Sequence, residues 1–450
     1  MKKRTWGVAV ISLIVLLTSC ASSNYFKVIK KPEKKFYSGD FKGAAKILKP
    51  LAAKKDKDQL LYMMEAGLMF HAAKNYELSN HILLKAAKIA VVKPISVSKQ
   101  VKSLLSNESS TNYRGEDFEK VLIHMYAGLN FLLLKKYDSA RVEFKAVNQE
   151  LSKIRSETTI KSKYKMNIMA KYLTAIAYEI SADLEKDAND LEFAAIEYKQ
   201  ILKLRPDLGW IRKDLKRLER RLDGKNKWGR KKGELIIIFQ AGRGAIKKSR
   251  GPLLKDRQLN RMVRISIRGM PLKAGVTGAA ILIALKNAEI PIPKFVRRSN
   301  RTRYVRITVN GRSYTTRMLE DIERTAVKNL KDNYGKLKNK LVASIITKAA
   351  VSIAAGYAAK QIAKKAGGGA FSGLIGLAVG AGTGAALFSQ MKPDLRCWHT
   401  LPANLQIGRI FLNPGKYKIK LDFVGSRKSK VVDVEIKKGQ KHIINERTLR

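Results

Sequence analysis

Cysteine and histidine are scarce in this 450-residue chain, which has two cysteines and five histidines. No histidine forms a His-Glu-x-x-His pair, and none lies at zinc-ligand spacing from a cysteine. Residues 242–244 are glycine-rich but lack the strand–helix context and the Gly-Lys-Ser/Thr ending of a phosphate loop. The Cys397-Trp398-His399 cluster has no third group nearby in sequence to orient a base. The sequence therefore predicts no metal, no cofactor and no enzymatic activity.

The amino terminus has the parts of a secretory signal. Three cationic residues follow Met1, and an apolar run from Val8 to Leu17 is broken only by Ser12. This run is too short to span a membrane comfortably, and small residues follow it. We therefore expect export of the chain.

The signal ends in Leu17-Thr18-Ser19-Cys20, which resembles the lipobox of bacterial lipoproteins. The resemblance implies removal of residues 1–19 as a signal peptide and acylation of Cys20, so that a lipid bilayer is a partner. Ala21 follows in place of an aspartate, which by analogy favours the outer membrane, with the protein facing the periplasm. Acylation would leave Cys397 alone, which excludes an intramolecular disulfide. The alternatives are an ordinary cleaved signal or an uncleaved anchor.

Acidic residues are few, with 37 Asp and Glu against 90 Lys and Arg and a formal net charge of +53. Export argues against nucleic acid as the partner, which leaves anionic polymers and lipids of the envelope. A plainer explanation is that basic residues solvate the surface. The stretch 212–232 is the most basic, and it either binds an anionic surface or forms a helix end followed by a linker at 223–232.

Two segments share a pattern of small and aromatic residues. Phe70, Ser79 and Leu83 follow Gly67 at the same spacings at which Phe131, Ala140 and Phe144 follow Gly128. Small residues allow two helices to approach closely, and the larger ones fill the groove between them. The spacing therefore predicts two helical hairpins.

This pattern resembles the tetratricopeptide repeat. A third copy ends with Ala194, Tyr198 and Pro206, and a degenerate copy around Phe41 and Ala44 opens the domain. The resemblance implies a helical repeat domain over residues 20–222 whose concave surface binds a partner protein. A plain helical bundle is the alternative.

Residues 233–450 change to strand-like patterns, which predict an antiparallel β domain, such as a sandwich, with a helical insertion. Alternating or β-branched segments predict strands at 234–239, 261–268, 305–309, 417–423 and 432–436. We place the insertion at about 317–391, with a charged helix beginning at Met318. The whole chain is thus expected to be an α+β multidomain protein.

The insertion ends in an uncharged stretch, residues 366–391, in which Gly376, Gly380 and Gly384 recur every four residues. This spacing puts the glycines on one helical face and permits close helix packing. The stretch is long enough to span a bilayer, although Gly and Ala are weakly hydrophobic. A packed or interface-lying hairpin and a membrane-inserted segment, alone or in an oligomer, both remain open.

The order of these parts resembles an uncharacterised family of bacterial outer-membrane lipoproteins with tetratricopeptide-like repeats. The resemblance rests on the strand at 233–237, residues 396–402 with Trp398, Leu401 and Pro402, and residues 406–409. It implies a non-enzymatic scaffold or assembly factor that binds envelope proteins through its repeats. Two alternatives remain. One is a regulator that binds the cell wall or a polyanion, for example in peptidoglycan synthesis, and the other is a subunit of a membrane-embedded oligomer.

Overall fold

The computed structural model describes residues 24–90, 111–157, 167–224, 232–269, 278–367 and 371–449. The signal peptide, Cys20 and most of the basic linker lie outside these residues.

Antiparallel helix pairs fill the described part of the first half. The pairs are α1 (Tyr25–Tyr37) with α2 (Phe41–Ala53), α3 (Gln59–Ala72) with α4 (Tyr76–Ile89), α5 (Asp117–Leu133) with α6 (Tyr137–Glu157), and α7 (Ile168–Glu185) with α8 (Ala188–Leu204), followed by α9 (Ile211–Leu222). This arrangement confirms the predicted helical repeat region, including its degenerate first copy.

The four turns within the pairs share one backbone feature, two residues before the second helix begins. A residue with positive φ lies in each turn, namely Gly39, Lys74, Lys135 and Lys186. Polar side chains cap the helices that follow two of these turns. Asp40 accepts from the Gly43 N–H at the start of α2, and Asn75 accepts from the Leu78 N–H at the start of α4. Recurring turn geometry is what a true structural repeat requires.

The second half contains two four-stranded sheets and a two-stranded ribbon. The strands are β1 (Gly233–Ala241), β2 (Ile246–Lys248), β3 (Lys294–Val296), β4 (Tyr304–Val309), β5 (Arg312–Thr315), β6 (Arg317–Asp321), β7 (Asn404–Leu412), β8 (Gly415–Val424), β9 (Ser429–Ile436) and β10 (Lys441–Arg447). Their order is β10-β1-β7-β6 in the first sheet and β5-β4-β8-β9 in the second, while β2 pairs with β3. The pairing is antiparallel as predicted, except that β1 and β10 run parallel.

The first sheet is packed on both faces. Ile236 and Ile238 of β1 join the core of the helical repeats, whereas Ile237 and Phe239 join a second core with Leu421 of the second sheet. Helices, first sheet and second sheet therefore form three layers. This explains why residues 234–239 are apolar without alternation, since a strand covered on both faces has no solvent side.

The prediction of a strand at 261–268 is wrong. These residues belong to helix α10 (Arg257–Arg268), which begins where Asp256 accepts a hydrogen bond from the Leu259 N–H. Val263 and Ile267 are buried at helical spacing, while Ile265, expected to point inward, is 60 % exposed. The apparent alternation arose because β-branched residues occupied both faces of one helix.

The helical insertion starts later than predicted. Met318 lies in strand β6, and the first insertion helix, α12, runs from Ile322 to Lys365 without a break. It packs antiparallel against α13 (Phe371–Ser389), and the short helix α11 (Gly278–Ala284) lies beside α13. Asp321 ends the strand and caps α12 by accepting from the Arg324 N–H.

Candidate functional site: the repeat face and the segment that covers it

The first helix of each pair presents buried polar side chains to the β half. Glu65 of α3, Glu119 of α5 and Glu179 of α7 are each at most 1 % exposed, although they are carboxylates in apolar helices. Burial of a charge is costly unless hydrogen bonds or opposite charges compensate for it. We call this side of the helical domain the repeat face.

An extended segment, residues 394–402, lies on the repeat face, and we call it the clasp. It contains no helix or strand, and Arg396, Trp398 and Thr400 are at most 1 % exposed. The clasp connects the insertion to β7. A concave repeat surface that we expected to bind a partner protein is thus covered by the chain itself.

Glu65 binds the centre of the clasp. Its carboxylate accepts the His399 N–H at 2.6 Å, the Thr400 N–H at 3.2 Å and the Thr400 hydroxyl. The hydroxyl of Tyr25 donates to the same carboxylate at 3.0 Å. Burial raises the pKa of Glu65, and the charge of His399 together with the hydrogen bonds from Thr400 and His399 partly counters that rise.

Glu119 fixes the neighbouring residue of the clasp. One carboxylate oxygen accepts the Trp398 N–H at 2.7 Å, and the other accepts from the Tyr113 hydroxyl at 2.6 Å. The Trp398 ring lies 6.0 Å from that of Tyr126, centroid to centroid. Burial raises the pKa of Glu119 to about 7.

Arg396 anchors the start of the clasp. Its guanidinium donates to Asp394 at 2.7 Å and to Asp58, just before α3, also at 2.7 Å. The group is 1 % exposed and lies 5.3 Å from the centroid of the Tyr113 ring. Two carboxylates and an aromatic face compensate for the buried cation.

Cys397 and His399 serve as packing and hydrogen-bonding residues in the clasp. The Lys247 N–H approaches the Cys397 sulfur at 3.5 Å, and the thiol is 1 % exposed. His399 Nδ1 lies 3.4 Å from a Glu33 carboxylate oxygen, while its carbonyl accepts from the Tyr37 hydroxyl at 2.8 Å. Burial opposes the charged imidazole, but Cys397 and Glu33 outweigh it and raise the pKa of His399.

A second buried polar cluster joins the fourth helix pair to the first sheet. Glu179 accepts hydrogen bonds from Arg217 of α9 at 3.0 Å and from Arg409 of β7 at 2.6 Å. Tyr198 donates to Glu179 at 2.7 Å. Burial would raise the pKa of Glu179, but the two guanidinium groups lower it well below its usual range.

Part of the basic stretch at 212–232 is neutralised inside the protein. Arg217 pairs with Glu179, and Arg221 pairs with Asp183 at 2.5 Å. On the second sheet, Lys416 and Lys418 lie directly across from Glu435 and Asp433 of β9. These cations are therefore less available to an anionic polymer than the net charge suggests.

The repeat-packing residues of the first two matching copies lie where helices meet. A Cβ atom on Gly67 would lie 2.5 Å from Leu83, and one on Gly128 would lie 2.5 Å from Phe144. The Ser79 hydroxyl donates to the Gly67 carbonyl at 2.7 Å. Phe70 is 3 % exposed and Phe131 is partly buried, while the remaining positions, Ala140, Ala194 and Tyr198, are fully buried.

The glycines of α13 form its buried stripe. A Cβ on Gly376 would lie 2.9 Å from the Gly356 carbonyl oxygen, and one on Gly384 would lie 3.2 Å from the Ser352 hydroxyl oxygen. Gly380 is buried on the same face. Gly376 and Gly384 thus face α12, as close helix packing requires.

Sequence reasoning missed the clasp contacts. A signal was present, because Glu65 is the one charged residue within the apolar helix α3. An opening of about 320 Å³ at the helix-pair turns is lined by Lys74, Tyr76 and Leu134, among others, and holds no His or Cys. Within the described ranges, no group of three His, Cys, Asp or Glu side chains could hold a metal ion.

Comparison with known proteins finds distant likenesses among solved structures. One is described as "MamA RS-1 ArsTM double mutant", at 17 % identity over 46 % of this chain and 94 % of that chain, with a TM-score of 0.26. Another is a tetratricopeptide repeat protein from Parabacteroides merdae ATCC 43184, at 13 % identity over 45 % and 74 % of the two chains, with a TM-score of 0.19. At these scores the fold assignment rests on the helix pairs themselves. No family model and no curated protein matches the chain.

Proposed function

We propose that the chain is a lipid-anchored, non-enzymatic scaffold of the bacterial envelope, attached through Cys20 to the periplasmic side of the outer membrane. The support for the anchor is the signal and lipobox-like sequence before Cys20. Helix α1 begins at Tyr25, five residues further on. Five extended residues reach about 17 Å at most, so acylation would hold the repeats close to the bilayer.

The clasp supports a scaffold role. Glu65, Glu119 and Asp58 hold residues 396–400 on the repeat face, and the first sheet shares a core with the helices. The two halves are therefore fixed relative to each other. A protein whose two halves are fixed in this way presents its binding surfaces in a constant relative orientation, as a scaffold requires.

A partner protein would bind on the second helices, since the clasp occupies the repeat face. The observation that carries this proposal is on α8, where Phe193 is 48 % exposed and Ile196, one turn later, is 47 % exposed. Leu184, at the end of the preceding helix, is 64 % exposed. Exposed apolar side chains one helical turn apart, such as Phe193 and Ile196, are typical of protein-binding surfaces. We call these three residues the α8 patch.

Site-specific photo-crosslinking in living cells tests the proposal. A photoreactive amino acid at Phe193 should give a discrete adduct with one envelope protein, which mass spectrometry identifies. The matched control is Val431 on β9, which is 59 % exposed and lies in the second sheet. Equal adduct patterns from both positions, or none from Phe193, would contradict a partner at the α8 patch.

A further inference from the structure

The outer part of the α12–α13 hairpin extends beyond the core that its base shares with the other described residues. At its base, Leu341 and Ile345 of α12 and Phe388 of α13 share a core with α10 and α11. Beyond this base the core has no fully buried member on α12 after Ala349. We call the outer part, residues 350–365 and 371–383, the finger.

The finger is apolar on its outside. Phe371, Leu374 and Val379 of α13 are 71 %, 61 % and 41 % exposed, and Ile362 of α12 is 68 % exposed. The buried face of α13 is mainly its glycine stripe against α12. A helix that is apolar around its circumference is a core helix or a membrane span, and α13 is not a core helix because most of it is exposed.

Positive charge bounds the finger at both ends. Arg257, Arg261, Arg264 and Arg268 are exposed on α10, which packs along the base of the hairpin. Lys364 and Lys365 lie at the tip, where α12 ends. No acidic residue occurs between Lys338 and Met391. Two basic zones match the two anionic headgroup layers of a bilayer.

The distance between these zones also matches a bilayer. From Ile345, which packs in the base with α10, to Lys365 at the tip, α12 rises about 30 Å at 1.5 Å per residue. The hydrocarbon core of a typical bilayer is about 30 Å thick. Besides Lys364 and Lys365 at the tip, two lysines lie within this length, both near its ends. Lys348 donates to the Leu387 carbonyl at 3.2 Å, and Lys360 is five residues from the tip, where its side chain can extend to the headgroups.

We infer that the finger crosses the hydrocarbon core of an anionic lipid bilayer as a helical hairpin, with the α10 arginines at one surface and Lys364 and Lys365 at the other. This adds a second membrane attachment to the proposed lipid anchor and does not depend on it. Lipid covers the apolar surface of the finger, because the length of α12 and the positive charges at the base and tip of the hairpin agree with a bilayer.

Fluorescence of labelled single-site variants tests the inference in the full-length chain. Val379→Cys, near the middle of the finger, and Phe371→Cys, near its tip, each carry an environment-sensitive fluorophore. Val142→Cys on α6, 62 % exposed, is the matched control. Native Cys397 is 1 % exposed and so is shielded from labelling, and the parent chain without an added cysteine reports any label on a non-acylated Cys20. Each protein is reconstituted in vesicles of phosphatidylglycerol and phosphatidylethanolamine.

The expected pattern depends on depth. A nitroxide near the end of the lipid chains should quench the label at 379 most strongly, and a nitroxide near the headgroups should quench the label at 371. Aqueous iodide should quench only the label at 142. Iodide quenching at 379 equal to that at 142, or stronger shallow than deep quenching at 379, would overturn the inference. Protection at 379 from both iodide and nitroxide lipids would also overturn it, because a second copy of the chain would then cover the finger.

The same samples separate this inference from the proposed function. Flotation reports vesicle attachment, and mass analysis reports acylation of Cys20. If the protein is acylated and floats, but iodide quenches the label at 379, the bilayer-crossing finger is overturned and the lipid anchor is not. If the chain is not acylated, but deep nitroxides quench the label at 379, the lipid anchor at Cys20 is overturned and the bilayer-crossing finger is not.

Discussion

The carboxylate of Glu65 accepts the main-chain N–H of His399 at 2.6 Å, across 334 residues of sequence. Glu65 is fully buried in the middle of α3, and Thr400 donates to its other oxygen. A single side chain of the repeats thus satisfies two backbone donors of a segment that has no secondary structure of its own. This contact, with that of Glu119, holds the clasp on the repeat face.

Replacement of Glu65 should destabilise the whole fold. Glu65→Ala leaves the N–H groups of His399 and Thr400 buried without an acceptor, which costs about 2–4 kcal/mol. Urea unfolding followed by circular dichroism measures the loss. Glu192→Ala, at an exposed position on α8, is the control and should change the free energy of unfolding by less than about 0.5 kcal/mol. Equal losses of unfolding free energy in the two variants would show that the contact of Glu65 with the clasp does not stabilise the fold.

Close helix contact at Gly128 gives a second prediction. The added Cβ of Gly128→Ala would lie 2.5 Å from a Phe144 ring carbon, so that the helices or the ring must shift. We expect a loss of about 1–3 kcal/mol in thermal or urea unfolding.

Gly335→Ala is the matched substitution, because Gly335 lies in α12 with nothing within 4 Å of an added Cβ. It should stabilise the protein by about 0.5–1 kcal/mol, since alanine favours the helix. Unchanged melting of Gly128→Ala would refute the hairpin packing at this position.

Glu320 gives the fold a pH dependence. Burial raises the pKa of this carboxyl, which accepts the Ile168 N–H at 3.2 Å, from 4.5 to about 8. The folded state therefore keeps a proton that the unfolded state releases above about pH 4.5. The contribution of Glu320 to the free energy of unfolding is therefore complete below pH 4.5. It falls by a few kcal/mol as the pH rises through 8.

The variant Glu320→Gln has no such proton to lose. Between pH 5.5 and pH 8.5, the free energy of unfolding of the wild type should fall more than that of the variant, as measured by urea titration at both pH values. Glu119, whose pKa is about 7, changes stability in the same direction in both proteins and so cancels in the comparison. An identical pH change in both proteins would contradict a raised pKa at Glu320.

Local patterns predicted much of this fold. Gly67 and Gly128 sit at equal distances from the aromatic and aliphatic residues that pack on them, and helix pairs are local enough for such spacing to be visible in sequence. The strands β1, β4, β8 and β9 were predicted from composition and alternation. Helix α10 was not, because its Asp256 cap and its Leu259–Val263–Ile267 spacing compete with an alternating reading of the same residues.

The clasp could not be predicted, since it depends on contacts across hundreds of residues. Residues 394–402 have no periodic pattern, and their partners Asp58, Glu65 and Glu119 lie at the start of α3, within α3 and within α5. Burial of both faces of β1 was likewise a tertiary property. Glu65 within an apolar helix was the signal that indicated a buried acceptor, but nothing in the sequence identified its donors.

The lipid anchor is the claim on which the proposed scaffold role depends, and the mass of the amino-terminal peptide tests it most directly. The protein is isolated from the envelope, digested, and analysed by mass spectrometry beside its Cys20→Ala variant. We predict that the mature chain begins at Cys20 with the mass of attached acyl chains, and that the variant is neither acylated nor cleaved at this position. Recovery of wild-type peptides that include residues 1–19, or of an unmodified Cys20, would contradict the account.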